Sequence, residues 1–170
     1  MAVSSGSTII SEDMTEENVQ KVVGFLKKVG VSASLTGQFT SKDFYSSIIR
    51  DLLSAHRVER GRVTCFFSVK PLVSNFYGSM HGGAVGAIAE RMSIACARTM
   101  VAEDKELFLG EMSISYLSTA PENAEVIVDG SVVRSGRNLT VVATEFRVKK
   151  SGKLVYTTRA TFYHMPSAKL

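Results

Sequence analysis

The chain has little of what marks several large protein classes. Its two cysteines, Cys65 and Cys96, make neither a disulfide framework nor a metal-knuckle spacing. Both are read as reduced, with Cys96 a small apolar residue on a helix, and no metal or cofactor is expected. No uninterrupted apolar run approaches the roughly 18–20 residues needed to cross a bilayer, so no membrane association is expected. The opening stretch, MAVSSGSTIISEDM, has neither a basic leader nor an apolar block, and Glu12 and Asp13 precede any Lys or Arg. Neither a secretory nor an Arg-rich organellar leader is expected from it, which points to an intracellular protein. A dense basic stripe with interleaved aromatics is also missing. The net charge is a mild +4, with its basic residues spread along the chain, which argues against a nucleic-acid surface and suits a small polyanionic ligand.

What is present fits one domain: 170 residues, 45% hydrophobic and 21% charged, enough to bury a core. Residues 1–13 are polar and expected to be disordered. Residues 14–53 read as a helical extension. Thr15-Glu16-Glu17 supplies a hydroxyl cap followed by carboxylates, Val19, Val22, Val23 and Leu26 form an apolar stripe, and Gly30 is the stop. A second short helix after Ser41 places Phe44, Ile48 and Leu52 on one face. These helices show no catalytic group and read as a cap on the core or a docking surface.

Over residues 54–165 the pattern changes. His56–Arg60 and Arg62–Lys70 read as strands joined at Gly61, with Val63, Cys65, Phe67 and Val69 alternating with Thr64, Phe66 and Ser68, and Pro71 ends the pairing. A loop, Ser74–Met80, leads to His81-Gly82-Gly83 and a helix over Ala84–Met100. Four more strands are read at Leu107–Leu117, Ala124–Arg134, Leu139–Lys149 and Leu154–His164, separated by turn residues. Consecutive strands on such short links are expected to be antiparallel, and a helix apolar on most faces must be covered. The expectation is an α+β fold, a six-stranded antiparallel sheet wrapped around one long central helix, with extra N-terminal helices.

The run Asn75-Phe76-Tyr77-Gly78-Ser79-Met80-His81-Gly82-Gly83, followed by Glu90, resembles the hotdog acyl-CoA thioesterases, in particular the thioesterase-superfamily-member-2 type. That pattern is Asn, two residues, Gly, two residues, His-Gly-Gly, then a carboxylate seven positions on; Asn75, Gly78, His81, Gly82, Gly83 and Glu90 fit it without a gap. Further matches are Met112–Leu117, Arg134–Leu139 and Gly152–Val155, so the likeness spans about Ser54–His164. It implies hydrolysis of a fatty or aromatic acyl-CoA to free acid and coenzyme A, at a site shared across a dimer, with dimers often paired into tetramers.

The chemistry of these residues is compatible with that. Gly82 and Gly83 sit where the helix begins, where N–H groups lack intrahelical partners and the positive end of the dipole points outward. Asn75 adds an amide donor or a group to place water, and together they suit a developing oxyanion. The plainer alternative is a tight loop-to-helix turn. Glu90 interrupts an apolar run, so it must be paired (with Arg91 or a strand arginine), protonated or functional; burial would tune it as a base. Seven residues of helix separate Gly83 from Glu90, roughly 10 Å. One carbonyl carbon does not reach both ends within a subunit, so a composite site is expected, with Asn75 and Gly82 from one chain and Glu90 from another.

The sequence departs from the resembled type in two places. That type carries Asp where Glu90 stands, leaving base and nucleophile both open for Glu90. Its water-placing Ser aligns with Leu109, and Gly110 or Ser113 cannot be assumed to substitute. His81 is read as structural, bonding the loop that carries Asn75, and His56 and His164 as outside the site. For coenzyme A, Arg134, Ser135, Gly136, Arg137, Asn138 and Leu139 form a turn with two forked donors. The resemblance places coenzyme A contacts there; an ordinary solvated hairpin is the alternative. Tyr116 is a further candidate for the ligand channel.

Residues 166–170 form a tail ending Ala168-Lys169-Leu170, a conservative variant of the Ser-Lys-Leu address read by the peroxisomal import receptor. Peroxisomal placement is the expectation, with the cytoplasm as the alternative. Two other activities stay open: a hotdog enoyl-CoA hydratase or dehydratase, and a non-catalytic acyl-CoA-binding protein.

Overall fold

The computed structural model describes residues 48, 49 and 52–166. The polar N-terminus, the helix opened by Thr15, most of the extension over 14–53, and the tail from Ser167 to Leu170 lie outside these residues. Of the extension, Ile48, Ile49 and Leu52 are described and helical. Ile49 is buried in the main core, and Ile48 and Leu52 pack against it.

Six strands and one long helix follow: β1 (Leu53–Glu59), β2 (Arg62–Ser68), a 3-10 turn at Pro71–Val73, α1 (Gly82–Arg98), β3 (Lys105–Tyr116), β4 (Glu125–Ser135), β5 (Leu139–Val148) and β6 (Leu154–Pro166). They form one antiparallel sheet in the order β1-β2-β4-β5-β6-β3. The expected six strands around a helix are found, with one refinement: β3 and β4, consecutive in sequence, are not neighbours. After α1 the chain arrives at the far edge, where β3 pairs with β6, and β4 then takes the place beside β2.

The sheet holds α1 because the two surfaces match in period and size. Alternate residues of β2 (Val63, Cys65, Phe67) and of β4 (Val126, Val128) are buried, as are Val142, Phe146, Val155, Ala160 and Phe162. They meet Ala84, Val85, Ile88, Ala89, Met92, Cys96 and Ala97 of the helix. Each large side chain so buried contributes roughly 1.5–3 kcal/mol. The approach is close: a Cβ on Gly130 would lie 2.9 Å from the Cys96 sulfur, so only glycine fits. Inside, Ser93 of α1 and Thr144 of β5 share a hydrogen bond of 3.4 Å.

The covering of α1 is incomplete. Edge strand β3 runs along one flank, with Tyr116 against Gly82 and Ile114 against Gly86. Glu90, at the border of that flank, and Ala87 and Ile94 beyond it are only half-buried, and Gly83, Arg91 and Ala95 are exposed.

Candidate active site

The loop between the 3-10 turn and α1 is closed on itself. Ser74 bridges Met80, and Ser79 bridges Pro121 at the approach to β4. The Asn75 N–H donates to the Ser79 carbonyl at 2.7 Å, and the Gly78 N–H donates to the Asn75 carbonyl at 3.0 Å. Gly78 turns the chain with φ of +71°, a conformation that glycine adopts without a steric penalty. The Asn75 side-chain oxygen accepts from the Tyr77 N–H (2.9 Å), the Ser79 N–H (3.2 Å) and the Ser79 hydroxyl (3.2 Å). Donors converging on that oxygen settle which way the amide lies. Its NH2 group is therefore turned away from the loop and has no partner among the described residues.

The helix opens at Gly82, earlier than the expected Ala84, because His81 caps it. Its Nδ1 accepts from the Gly83 N–H at 3.0 Å, which fixes the neutral ring as the Nε2–H tautomer. This corrects the expectation of two outward-facing glycine donors. The Gly83 N–H is engaged, whereas the Gly82 N–H has no partner among the described residues. The structural role foreseen for His81 falls on the helix end rather than on the Asn75 side chain, although its N–H donates to the Val73 carbonyl (2.8 Å) just before the loop. Tyr116, 55% exposed, joins the cluster by donating its hydroxyl to the Gly82 carbonyl at 3.1 Å. Leu72, Phe76, Tyr77 and Leu117 are also exposed.

Glu90 lies along the same helix, half-buried, four residues on from Gly86 and so at the border of the stripe that β3 flanks. Among the described residues its carboxylate has no hydrogen-bond or ion-pair partner, so the pairing with Arg91 or a strand arginine is not found. Its separation from the helix start at Gly82 is about 12 Å. Leu109 packs against the core beside a bulge between Leu109 and Glu111. Ser113 is exposed, out of step with the helix-facing Met112 and Ile114, and offers Glu90 no hydroxyl within the protomer.

The Arg134–Leu139 turn is elsewhere. β4 leaves the neighbourhood of the Asn75 loop and runs 11 residues to Ser135, about 36 Å of strand. At that far end Gly61 accepts from the Val132 N–H (2.7 Å) and donates to Thr99 Oγ1 (2.7 Å) just past the end of α1. One protomer therefore brings Asn75, His81, Gly82 and Tyr116 together, holds Glu90 partway along the helix, and keeps the turn at the opposite end. Arg134, Ser135, Gly136, Arg137 and Asn138 are exposed, Leu139 is half-buried, and neither guanidinium has an ion-pair partner among the described residues. Arg57, Arg62 and Arg147 by contrast are all paired. His164, set aside by the sequence reading, is bonded into this turn across 27 positions of chain, a contact that no local pattern signals.

The two buried cysteines are unsuitable as nucleophiles. Burial pushes the Cys65 thiol up and the Cys96 thiol to about 11, so neither supplies a thiolate at neutral pH. Burial also raises Tyr156, against the opposing hydrogen bond from the Ala120 N–H. No group of three or more His, Cys, Asp or Glu able to hold a metal occurs among the described residues.

Comparison with known proteins gives a consistent picture. The thioesterase superfamily model matches residues 77–155. Human acyl-coenzyme A thioesterase 13 is 25% identical over 101 residues, covering 59% of this chain and 71% of that protein. Zebrafish thioesterase superfamily member 2 superposes with a TM-score of 0.64 at 19% identity, covering 89% of this chain and 99% of that one. A Streptococcus mutans UA159 protein bound to acetyl CoA superposes with a TM-score of 0.62 at 21% identity, covering 67% and 89%. The structural matches establish a shared hotdog architecture.

Proposed function

We propose, from the thioesterase superfamily match over residues 77–155 and the likeness to acyl-coenzyme A thioesterase 13, that the chain is a thioesterase that hydrolyses acyl-CoA thioesters to a free acid and coenzyme A. The observation that carries this reading is a matched set of groups on one helix and its entry loop that have no partner among the described residues: the Gly82 N–H, the Asn75 NH2 and the Glu90 carboxylate. Buried and half-buried polar groups are normally satisfied within the fold, and these three are the kinds that an acyl transfer needs. The substrate carbonyl oxygen accepts from Gly82 and Asn75, at the positive end of the helix dipole. Glu90 either takes a proton from the attacking water or attacks the carbonyl carbon itself. On the first path the tetrahedral intermediate collapses, the C–S bond breaks and the departing sulfur takes the proton from Glu90, leaving as the thiol. On the second, the C–S bond breaks as Glu90 forms a mixed anhydride with the acyl group and coenzyme A leaves as thiolate, protonated from solvent; water then cleaves the anhydride to the free acid and restores Glu90.

Release of free thiol from a panel of acyl-CoAs tests the proposal directly. Hydration of an enoyl-CoA without thiol release would make the chain a hydratase, and tight acyl-CoA binding with neither reaction would make it a carrier or sensor.

The same reading makes the site composite. Gly82 and Glu90 are eight residues, about 12 Å, apart along α1, and Glu90 borders a helix face (Gly83, Ala87, Ile94) that the described residues of one protomer leave half-buried or exposed. A second copy laid on that face would bring its Glu90 to the first copy's Gly82, giving a dimer at least and a tetramer if dimers pair. Mixing Glu90→Ala and Asn75→Ala proteins should restore activity through hybrid sites; no recovery despite demonstrated subunit exchange would sink the shared site. Peroxisomal delivery through Ala168-Lys169-Leu170 is part of the proposal, supported by the motif alone. A fluorescent fusion that stays diffuse in the cytoplasm with the tail intact would overturn it.

A further inference from the structure

We infer that His164 of β6 is the positioning residue that holds the Arg134–Leu139 turn in its phosphate-receiving shape, an inference that rests on reading this turn as the coenzyme A contact. The turn has little of its own to hold it. A bulge between Val132 and Arg134 interrupts the β4–β5 ladder just before it, and the Gly136 N–H to Leu139 carbonyl bond (2.9 Å) closes its tip. The rest comes from β6. The His164 N–H donates to the Asn138 carbonyl at 2.9 Å. Its ring Nδ1 lies 3.2 Å from the Arg137 carbonyl, and its Nε2 lies 2.9 Å from Thr140 Oγ1, which is itself 2.9 Å from Ser135 Oγ.

The direction of this chain follows from what each atom can do. A carbonyl oxygen only accepts, so Nδ1 carries the hydrogen and the neutral ring leaves Nε2 as acceptor. Thr140 then donates to Nε2 and accepts from the Ser135 hydroxyl. Every member is satisfied, which matters because Thr140 is 0% exposed and a hydroxyl left unpaired there would be destabilising. One side chain thus ties Ser135, Arg137 and Thr140 together, and its backbone adds Asn138.

The bond to the Arg137 carbonyl has a consequence on the outer side. The peptide is planar and trans, so turning that carbonyl inward turns the Asn138 N–H outward. That N–H has no partner among the described residues, and neither do the Arg134 and Arg137 guanidiniums. Forked cations beside a fixed N–H make a receptor for phosphate oxygens. His164 faces away from that receptor and acts only by fixing it.

The test compares two thioesters carrying the same acyl group, acyl-CoA and acyl-pantetheine, which lacks the phosphates. For the unmodified enzyme the KM for acyl-CoA should be much the lower. His164→Ala should raise the acyl-CoA KM about tenfold at unchanged kcat, leaving acyl-pantetheine kinetics as they were. His164→Asn, whose amide keeps a donor near the Nδ1 position, should recover most of the loss, and His164→Gln should not. Should the alanine variant fail to fold, the Asn–Gln pair carries the same comparison. Equal losses with both thioesters, or an unchanged KM for acyl-CoA, would overturn the role of His164. An unmodified enzyme with equal KM for both thioesters would remove the turn as the coenzyme A contact, and the role of His164 with it. Absence of thiol release from either would instead reject thioesterase activity.

Discussion

The two ends of α1 are built on opposite plans. At its start, the Asn75–Met80 loop satisfies its own polar groups so fully that few remain: the amide oxygen of Asn75 takes three donors and His81 takes the Gly83 N–H. What is left over, the Asn75 NH2 and the Gly82 N–H, is held rigidly. Past its other end, the Arg134–Leu139 turn is exposed and cationic, and is held from outside by a strand remote in sequence. A developing oxyanion is stabilised by donors that do not reorganise, whereas a solvated phosphate needs charge and reach more than rigidity. On the proposed function, bond-breaking falls to the first end and grip on the substrate to the second.

The strongest way to break that assignment is to remove the carboxylate between the ends. Glu90→Gln preserves shape and removes both base and nucleophile, so kcat should fall by about 10²–10⁴, with little change in the KM for acyl-CoA. A fall in KM's favour alone, with kcat intact, would move the chemistry away from α1. Asn75→Asp comes next and is cleaner than alanine. It retains an oxygen for Tyr77 and Ser79 and deletes the outward donor, so kcat should drop about 10²–10³ with the thermal midpoint nearly unchanged. Loss of the fold instead would show that the amide's whole task is to hold the loop.

Much of this contrast could be read from residue order, though unevenly. The alternation of Val63, Cys65 and Phe67 identified β2, and the Ala-rich run after Gly83 identified α1, because period and side-chain size are local properties. The helix start is not legible in the sequence because its cap is His81, outside the usual Ser, Thr, Asp and Asn. The same cap explains why Gly83 reads as an available donor in sequence and is not one in the fold. The position of β3 beside β6 rests on where α1 delivers the chain, and antiparallel strands of similar composition do not encode that. Glu90 stands out as a carboxylate in an apolar run; that none of the described residues answers it required the packing. His164 had no signal at all, since its partners lie 24 to 27 residues away.

At the turn the expected effects are smaller and fall on the other constant. Arg137→Ala should raise the KM for acyl-CoA about tenfold, worth about 1.4 kcal/mol, and leave kcat in place. The exposed site also makes the unmodified KM salt-sensitive, because a Debye length of about 8 Å at physiological ionic strength screens solvent-facing charges. Adding salt should therefore weaken acyl-CoA far more than acyl-pantetheine, and Arg137→Ala should flatten that dependence. A salt response that survives the substitution would assign the phosphate contact to other cations.

The finest comparison deletes one hydroxyl at each end. Tyr116→Phe removes the bond to the Gly82 carbonyl (3.1 Å), and Ser135→Ala removes the head of the chain through Thr140 (2.9 Å). A single neutral hydrogen bond contributes about 0.5–1.5 kcal/mol, so each change should amount to roughly a two- to tenfold effect, and the exposure of both residues favours the lower part of that range. The Gly82 carbonyl and the Gly82 N–H belong to successive peptide planes, so loosening one slackens the aim of the other. Tyr116→Phe should accordingly lower kcat with either thioester. Ser135→Ala leaves Thr140 still donating to His164 and should raise only the KM for acyl-CoA. Were the two variants to alter the same constant, the ends would be acting as one unit, and the division of labour along α1 would have to be given up.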